Sequence, residues 1–129
     1  MQCSCVYVGD TGEGYDFSRS KIVTAKKDHK CCECRQPIAT GSKYEYVFGV
    51  WYGDPDTHKT CLDCLSVRNI FFCDGWWYEQ LWDQLKEHID GAKGDISESC
   101  ISALTPLARE KVCALIESVW CELEIFYGK

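Results

Sequence analysis

Residues 29–64 read HKCCECRQPIATGSKYEYVFGVWYGDPDTHKTCLDC, and the two ends of this stretch decide the fold. Cys31-x-x-Cys34 and Cys61-x-x-Cys64 are cysteine pairs separated by 26 residues. A Cys-x-x-Cys turn brings two sulfurs onto one ion while its inward-pointing amides stabilise their charge. Two such turns complete the tetrahedron that zinc takes in closed structural sites. Four unrelated thiols would have to match both spacings by coincidence. The expectation is one zinc ion held by Cys31, Cys34, Cys61 and Cys64.

Between the pairs, Pro37 and Gly41 punctuate a turn. Tyr44, Tyr46, Phe48 and Val50 alternate with other residues, which predicts a strand with one buried face. The Gly53-Asp54-Pro55-Asp56 turn then sends a hairpin arm back to the second pair. Thr60 with Asp63 three positions later is a capping-box-like helix start. It sets Cys61, Cys64, Leu65 and Arg68 on successive turns, where the helix dipole favours thiolates. Upstream, Lys21–Lys27 (KIVTAKK) is β-branched and predicts a strand entering the site, while residues 1–20 look loop-like.

A knuckle, a hairpin and a cysteine pair at a helix N-terminus resemble a treble-clef zinc finger. The fold class expected is α+β, with a treble-clef-like zinc module over residues 1–73 and a helical extension over 74–129 packed on it as one unit. A closer resemblance covers about residues 20–73, through the phrases C-x-x-C, PI, G, KYE, G-x-W and C-x-x-C, with a looser echo in FFCDGWWYEQLWDQLKEHI. These are similar to small cysteine-rich zinc proteins encoded by phages and prophages. The resemblance implies a zinc fold and a phage setting inside a bacterial host, and it carries no biochemical activity.

The extension reads as helices. Tyr78, Leu81, Trp82, Leu85 and Ile89 form one apolar stripe ending near Gly91. GAKGDISES reads as a linker. Thr105-Pro106 is then an N-cap and first-turn proline for a helix with Ala108, Val112, Leu115, Ile116, Val119, Leu123 and Phe126 inward. Of the five tryptophans, Trp82 and Trp120 are expected in the core.

Seven of the 11 cysteines lie outside the quartet. Cys3-x-Cys5 is ligand-like, and with Cys32 and Cys73 it could close a second tetrahedron, raising the zinc count to two; otherwise these are reduced buried thiols. Cys100, Cys113 and Cys121 read as core or surface thiols. His29 and His58, each just before a pair, read as hydrogen-bonding neighbours of a thiolate, and His88 as a solvated side chain. The N-terminus lacks a signal-peptide pattern and no stretch is apolar enough for a membrane span, so a reducing cytoplasm is expected.

Chemistry needing other motifs is not in evidence. The segment after Cys64, LSVRNIFF, lacks the histidine of a His-Asn-His nuclease, and no deaminase His-x-Glu occurs. The chain is expected to be a non-enzymatic binder. Its net charge is −6, of which residues 65–129 contribute −5 from 6 basic and 11 acidic side chains. An acidic, aromatic surface of Trp76, Trp77, Glu79, Asp83, Glu87 and Asp90 suits a host protein partner, with nucleic-acid mimicry one way of using it. The alternative partner is nucleic acid, through Lys21, Lys26, Lys27, Lys30 and Arg35 with stacking on Tyr44, Tyr46 and Trp51. The same cations could merely offset thiolate charge.

Overall fold

In a computed structural model, the backbone is described for residues 5–6, 15–73, 76 and 78–127, and side chains for all of these except 15–17 and 123–127. The chain is mixed α+β. A three-stranded antiparallel sheet has the order β1 (Tyr15–Thr24), β4 (Lys43–Trp51), β5 (Asp54–Cys61). A two-stranded knuckle of β2 (His29–Lys30) and β3 (Pro37–Ile38) lies between β1 and β4 in sequence. Among the described residues four helices follow: α1 (Leu62–Phe71), α2 (Leu81–Gly91), the short α3 (Glu98–Ser102) and α4 (Pro106–Tyr127). Among the described residues, no helix is long and apolar enough to cross a membrane.

Strand β1 begins well before the expected Lys21. Its polar residues from Ser18 onward are paired with β4 down to Thr24 opposite Lys43. Ladder bonds to a central strand override a composition that by itself reads as loop. The tight β4–β5 turn keeps Tyr52 and Gly53 at positive φ, where glycine costs nothing and the Asp-Pro that follows continues into β5.

Helix α1 starts one residue later than expected: Cys61 is its N-cap, its sulfur accepting from the Cys64 amide at 3.4 Å. Thr60 is instead fully buried in β5, and Asp63 accepts from Thr105 Oγ1 at 2.6 Å. That bond ties α1 to the start of α4 and draws the Thr105 hydroxyl away from capping. Helix α2 begins at Leu81, leaving Tyr78 outside it. Its first amide donates to Glu33 Oε1 of the knuckle at 3.2 Å, a remote cap in place of a local one.

Leu81, Leu85 and Ile89 of α2 are buried as the stripe predicts, with Ala108, Val112, Ile116 and Val119 of α4. They join Val67 and Phe71 of α1, Tyr44 and Ile38 in one hydrophobic cluster, so the sheet end and the helices share a core. Leu123 and Phe126 lie outside the described side chains. Trp120 departs from expectation: it is 51% exposed. Its indole covers the turn after α2, where Gly94 has φ +76 and any Cβ would overlap the ring. The expected linker, residues 91–99, is shorter in the structure: α2 runs to Gly91 and α3 already begins at Glu98.

Candidate metal centre and aromatic sheet face

The knuckle presents Cys31 and Cys34, while the β5–α1 junction presents Cys61 and Cys64. Their four sulfurs all lie within 4.8 Å of one another, a cluster that could hold a metal ion. Four thiolates with bonds of about 2.3 Å around a tetrahedral ion stand about 3.8 Å apart, and the Cys34 and Cys61 sulfurs are separated by 3.9 Å. The amides of Glu33 and Cys61 both donate to Cys31 Sγ at 3.4 Å. Trp82 donates its indole N–H to Cys64 Sγ at 3.3 Å. Trp82 is thus a neighbour of the cluster, half-buried, with Lys111 5.3 Å from its ring centre.

Electrostatics within the quartet are asymmetric. Hydrogen bonds from the Cys61 and Cys64 thiols hold Cys31 far below the usual thiol range, while donating to Cys31 pushes Cys61 up to about 12 and Cys64 higher still. Cys31 and Cys64 are buried, which shields the cluster from solvent.

Outside the quartet, the structure does not assemble the proposed second tetrahedron. Cys5 is disulfide-bonded to Cys73, with Cα atoms 5.6 Å apart, and the Val6 amide donates to the Phe71 carbonyl at 2.8 Å. Cys32 faces elsewhere, its sulfur 3.6 Å from Thr60 Oγ1, and burial pushes its thiol up to about 12. Among the described residues the quartet is the one group with metal-ligand geometry; Cys3 lies outside them. Cys100 is buried and disulfide-bonded, so the reading of free thiols fails at Cys5, Cys73 and Cys100. Cys113 and Cys121 are free. The knuckle pairing, read from spacing, is what separates Cys31 and Cys34 from Cys32: adjacent residues on a tight turn point apart.

The two expected histidine neighbours of the metal have other company. His29 packs on Tyr44, ring centres 5.4 Å apart. His58 stacks on Tyr78 at 3.9 Å, with Trp51 edge-on to both. Burial lowers the His58 pKa, against a rise from Asp56. His88 is half-buried rather than solvated, and burial lowers its pKa too.

The sheet's two faces differ from the reading of β4 in one decisive respect. Glu45 and Val47 are 8% and 3% exposed, whereas Phe48, on the supposed buried face, is 40% exposed. Helix α1 packs on the Glu45 side, where Arg68 Nη2 donates to both Glu45 oxygens at 2.5 and 2.6 Å. The Trp76 ring covers that guanidinium at 4.4 Å. On the other face Tyr44 is buried and packs on His29 of the knuckle, while Tyr46 is half-buried and Phe48 exposed.

Cross-strand register fixes who shares the open face, because opposite residues project to one side. Arg19 stands opposite Phe48, Lys21 opposite Tyr46, and Lys59 opposite Tyr46 from β5. Lys59 Nζ lies 6.0 Å from the Tyr46 ring centre. Trp51, expected here, is on the inner face with His58 and Tyr78. Lys30 and Arg35 are exposed on the knuckle.

The predicted protein-binding surface is only partly gathered. Asp83, Glu87 and Asp90 are exposed along α2, with Lys86 3.6 Å from Asp90. Glu79 precedes the helix at positive φ, and Trp76 is half-buried over Arg68. Trp77 lies outside the described residues. No family model, curated protein or solved structure matches the chain.

Proposed function

We propose that this protein is a non-catalytic, zinc-stapled module that binds single-stranded nucleic acid on the open face of its sheet. The register carries this reading. It lines Phe48 and Tyr46 along the central strand and flanks them with Arg19, Lys21 and Lys59. From Arg19 to Cys61, no paired position on that face is a carboxylate. Stacking platforms bordered by cations bind single strands because bases offer π-faces and phosphates offer charge. A net charge of −6 on the whole chain opposes nonspecific attraction, so the local concentration of cations matters more than the total.

Zinc suits the quartet through its all-thiolate donor set and tetrahedral sulfur spacing. The knuckle, the β4–β5 hairpin and a helix capped by Cys61 support a treble-clef-like description. Read with the resemblance to phage and prophage proteins, the module would act on host or phage nucleic acid.

Fluorescence anisotropy with a ten-nucleotide oligothymidylate tests this function. Affinity should fall with salt, and Lys21→Gln with Lys59→Gln should flatten the log–log slope by about 0.7 per lost phosphate contact. Absence of salt-sensitive binding by metal-loaded protein would overturn it.

A host protein partner is the second reading, favoured by three exposed carboxylates along α2. Asp83→Lys with Glu87→Lys should leave folding intact and weaken capture of such a partner. Unchanged capture would return the stripe to simple solvation.

A further inference from the structure

The open face does not end at Tyr46. Where it meets the knuckle there is a cavity of about 370 Å³, lined by Val23, Thr24, Lys26, Lys27, His29, Tyr44 and Tyr46. Tyr46 belongs to both the face and the cavity, so a strand stacked along β4 leads into it. His29 packed on Tyr44 forms the wall on the knuckle side. Ala25, held by its amide to the Ser42 carbonyl at 2.8 Å and by its own carbonyl to the Gly41 amide at 2.8 Å, fixes the loop that carries Lys26 and Lys27.

The lining combines an apolar, aromatic wall with basic residues. Lys26, Lys27, Thr24 and His29 join Val23 and the Tyr44 and Tyr46 rings around it, and among the described residues no carboxylate lines the cavity. Its volume is near the lower end of small-molecule sites, roughly 300–1,000 Å³, which suits a single nucleotide. A terminal phosphomonoester carries about −1.5 to −2 charges at neutral pH, more than an internal phosphodiester. It would therefore be favoured wherever two lysines converge on a chain end.

We infer that this cavity holds the terminal nucleotide of a single strand, its phosphomonoester at Lys26 and Lys27 and its base against Tyr46. The inference rests on the single-strand reading of the sheet face and adds to it a preference for a phosphorylated end. It also gives the bound strand a direction, since only one end can enter the knuckle side.

The test compares internally labelled ten-nucleotide oligothymidylates with hydroxyl ends, a 5′-phosphate or a 3′-phosphate, on metal-loaded protein. One phosphorylated form should bind about tenfold more tightly than the hydroxyl-ended strand, from two exposed charge contacts. Lys26→Gln with Lys27→Gln should erase that preference while the hydroxyl-ended strand still binds. Equal binding of all three strands overturns the inference and leaves the sheet-face reading standing. A preference that survives the double substitution overturns it as well. Free thymidine 5′-monophosphate binding as tightly as the phosphorylated strand would replace a strand end by a mononucleotide ligand. Failure of every strand to bind removes both readings together.

Discussion

The inner and outer faces of one sheet carry opposite chemistry on the same strand. Along β4, Glu45 and Val47 turn inward, where the acid meets Arg68 and the aliphatic side chain meets no solvent. Tyr46 and Phe48 turn outward between Arg19, Lys21 and Lys59. Large aromatics are the expected core formers and a glutamate the expected surface residue, yet here the helices choose the face holding the glutamate. A charge is tolerated inside because it is paired, and the aromatics outside are set among cations that suit an anionic, stacking ligand. The inner face holds the fold; the outer face is the one proposed to bind.

Four perturbations separate these roles. Removing the metal, by chelation or by Cys64→Ser, should abolish both faces at once. Such sites contribute on the order of 10 kcal/mol of folding free energy, read as loss of folded circular dichroism together with lost metal. A folded, metal-free Cys64→Ser protein would contradict this.

Arg68→Ala attacks the inner face. It strands Glu45 as an unpaired buried acid and should cost about 3–5 kcal/mol in urea denaturation. Arg68→Met with Glu45→Leu should recover most of that loss, since two apolar groups leave no charge unpaired. Two Arg68 donors, Nε and Nη1, have no partner among the described residues, so the pair is not fully satisfied even in the native chain.

Phe48→Ala attacks the outer face. Its side chain is 40% exposed, so stability should fall by less than the roughly 3–5 kcal/mol of a fully buried Phe. Oligothymidylate affinity should fall on the order of tenfold with the loss of one stacking ring. A large stability loss with unchanged affinity would reverse the assignment of the two faces.

Acid should loosen the inner face slightly. Burial favours the neutral form of His58, so its folded pKa lies below the ordinary 6.5. Its contribution is present above the unfolded value and is lost as pH falls from there through the folded pKa. An NMR titration of the imidazole with a midpoint below 6.5 would agree, and one at or above 6.5 would not.

Much of the metal centre was legible because ligand spacing is a local property. Cys31, Cys34, Cys61 and Cys64 were named from two Cys-x-x-Cys turns, and the structure gathers the same four. The buried stripes of α2 and α4 were legible for a similar reason, as helical periodicity exposes Leu81, Leu85 and Ile89 to one side. What escaped depends on long-range choice. Alternation in β4 identified two faces but could not say which one the helices cover, since that is fixed by Arg68, 23 residues beyond Glu45. The Cys5–Cys73 pairing spans 68 residues and leaves no spacing signature. The Glu33 cap on α2 joins residues 48 apart; its carboxyl is pushed up to about 7 by burial. A basic loop at Lys26 and Lys27 was visible, but its meeting with Tyr46 in one cavity required the tertiary fold.

Nitrogen–proton NMR correlation spectra of the zinc-loaded protein, titrated with oligothymidylate, test the outer-face assignment most directly. Shifts should concentrate at Arg19, Lys21, Tyr46, Phe48 and Lys59, with Asp83 and Glu87 of α2 unmoved. Shifts confined to α2, or none at saturating strand, would contradict single-strand binding on the sheet.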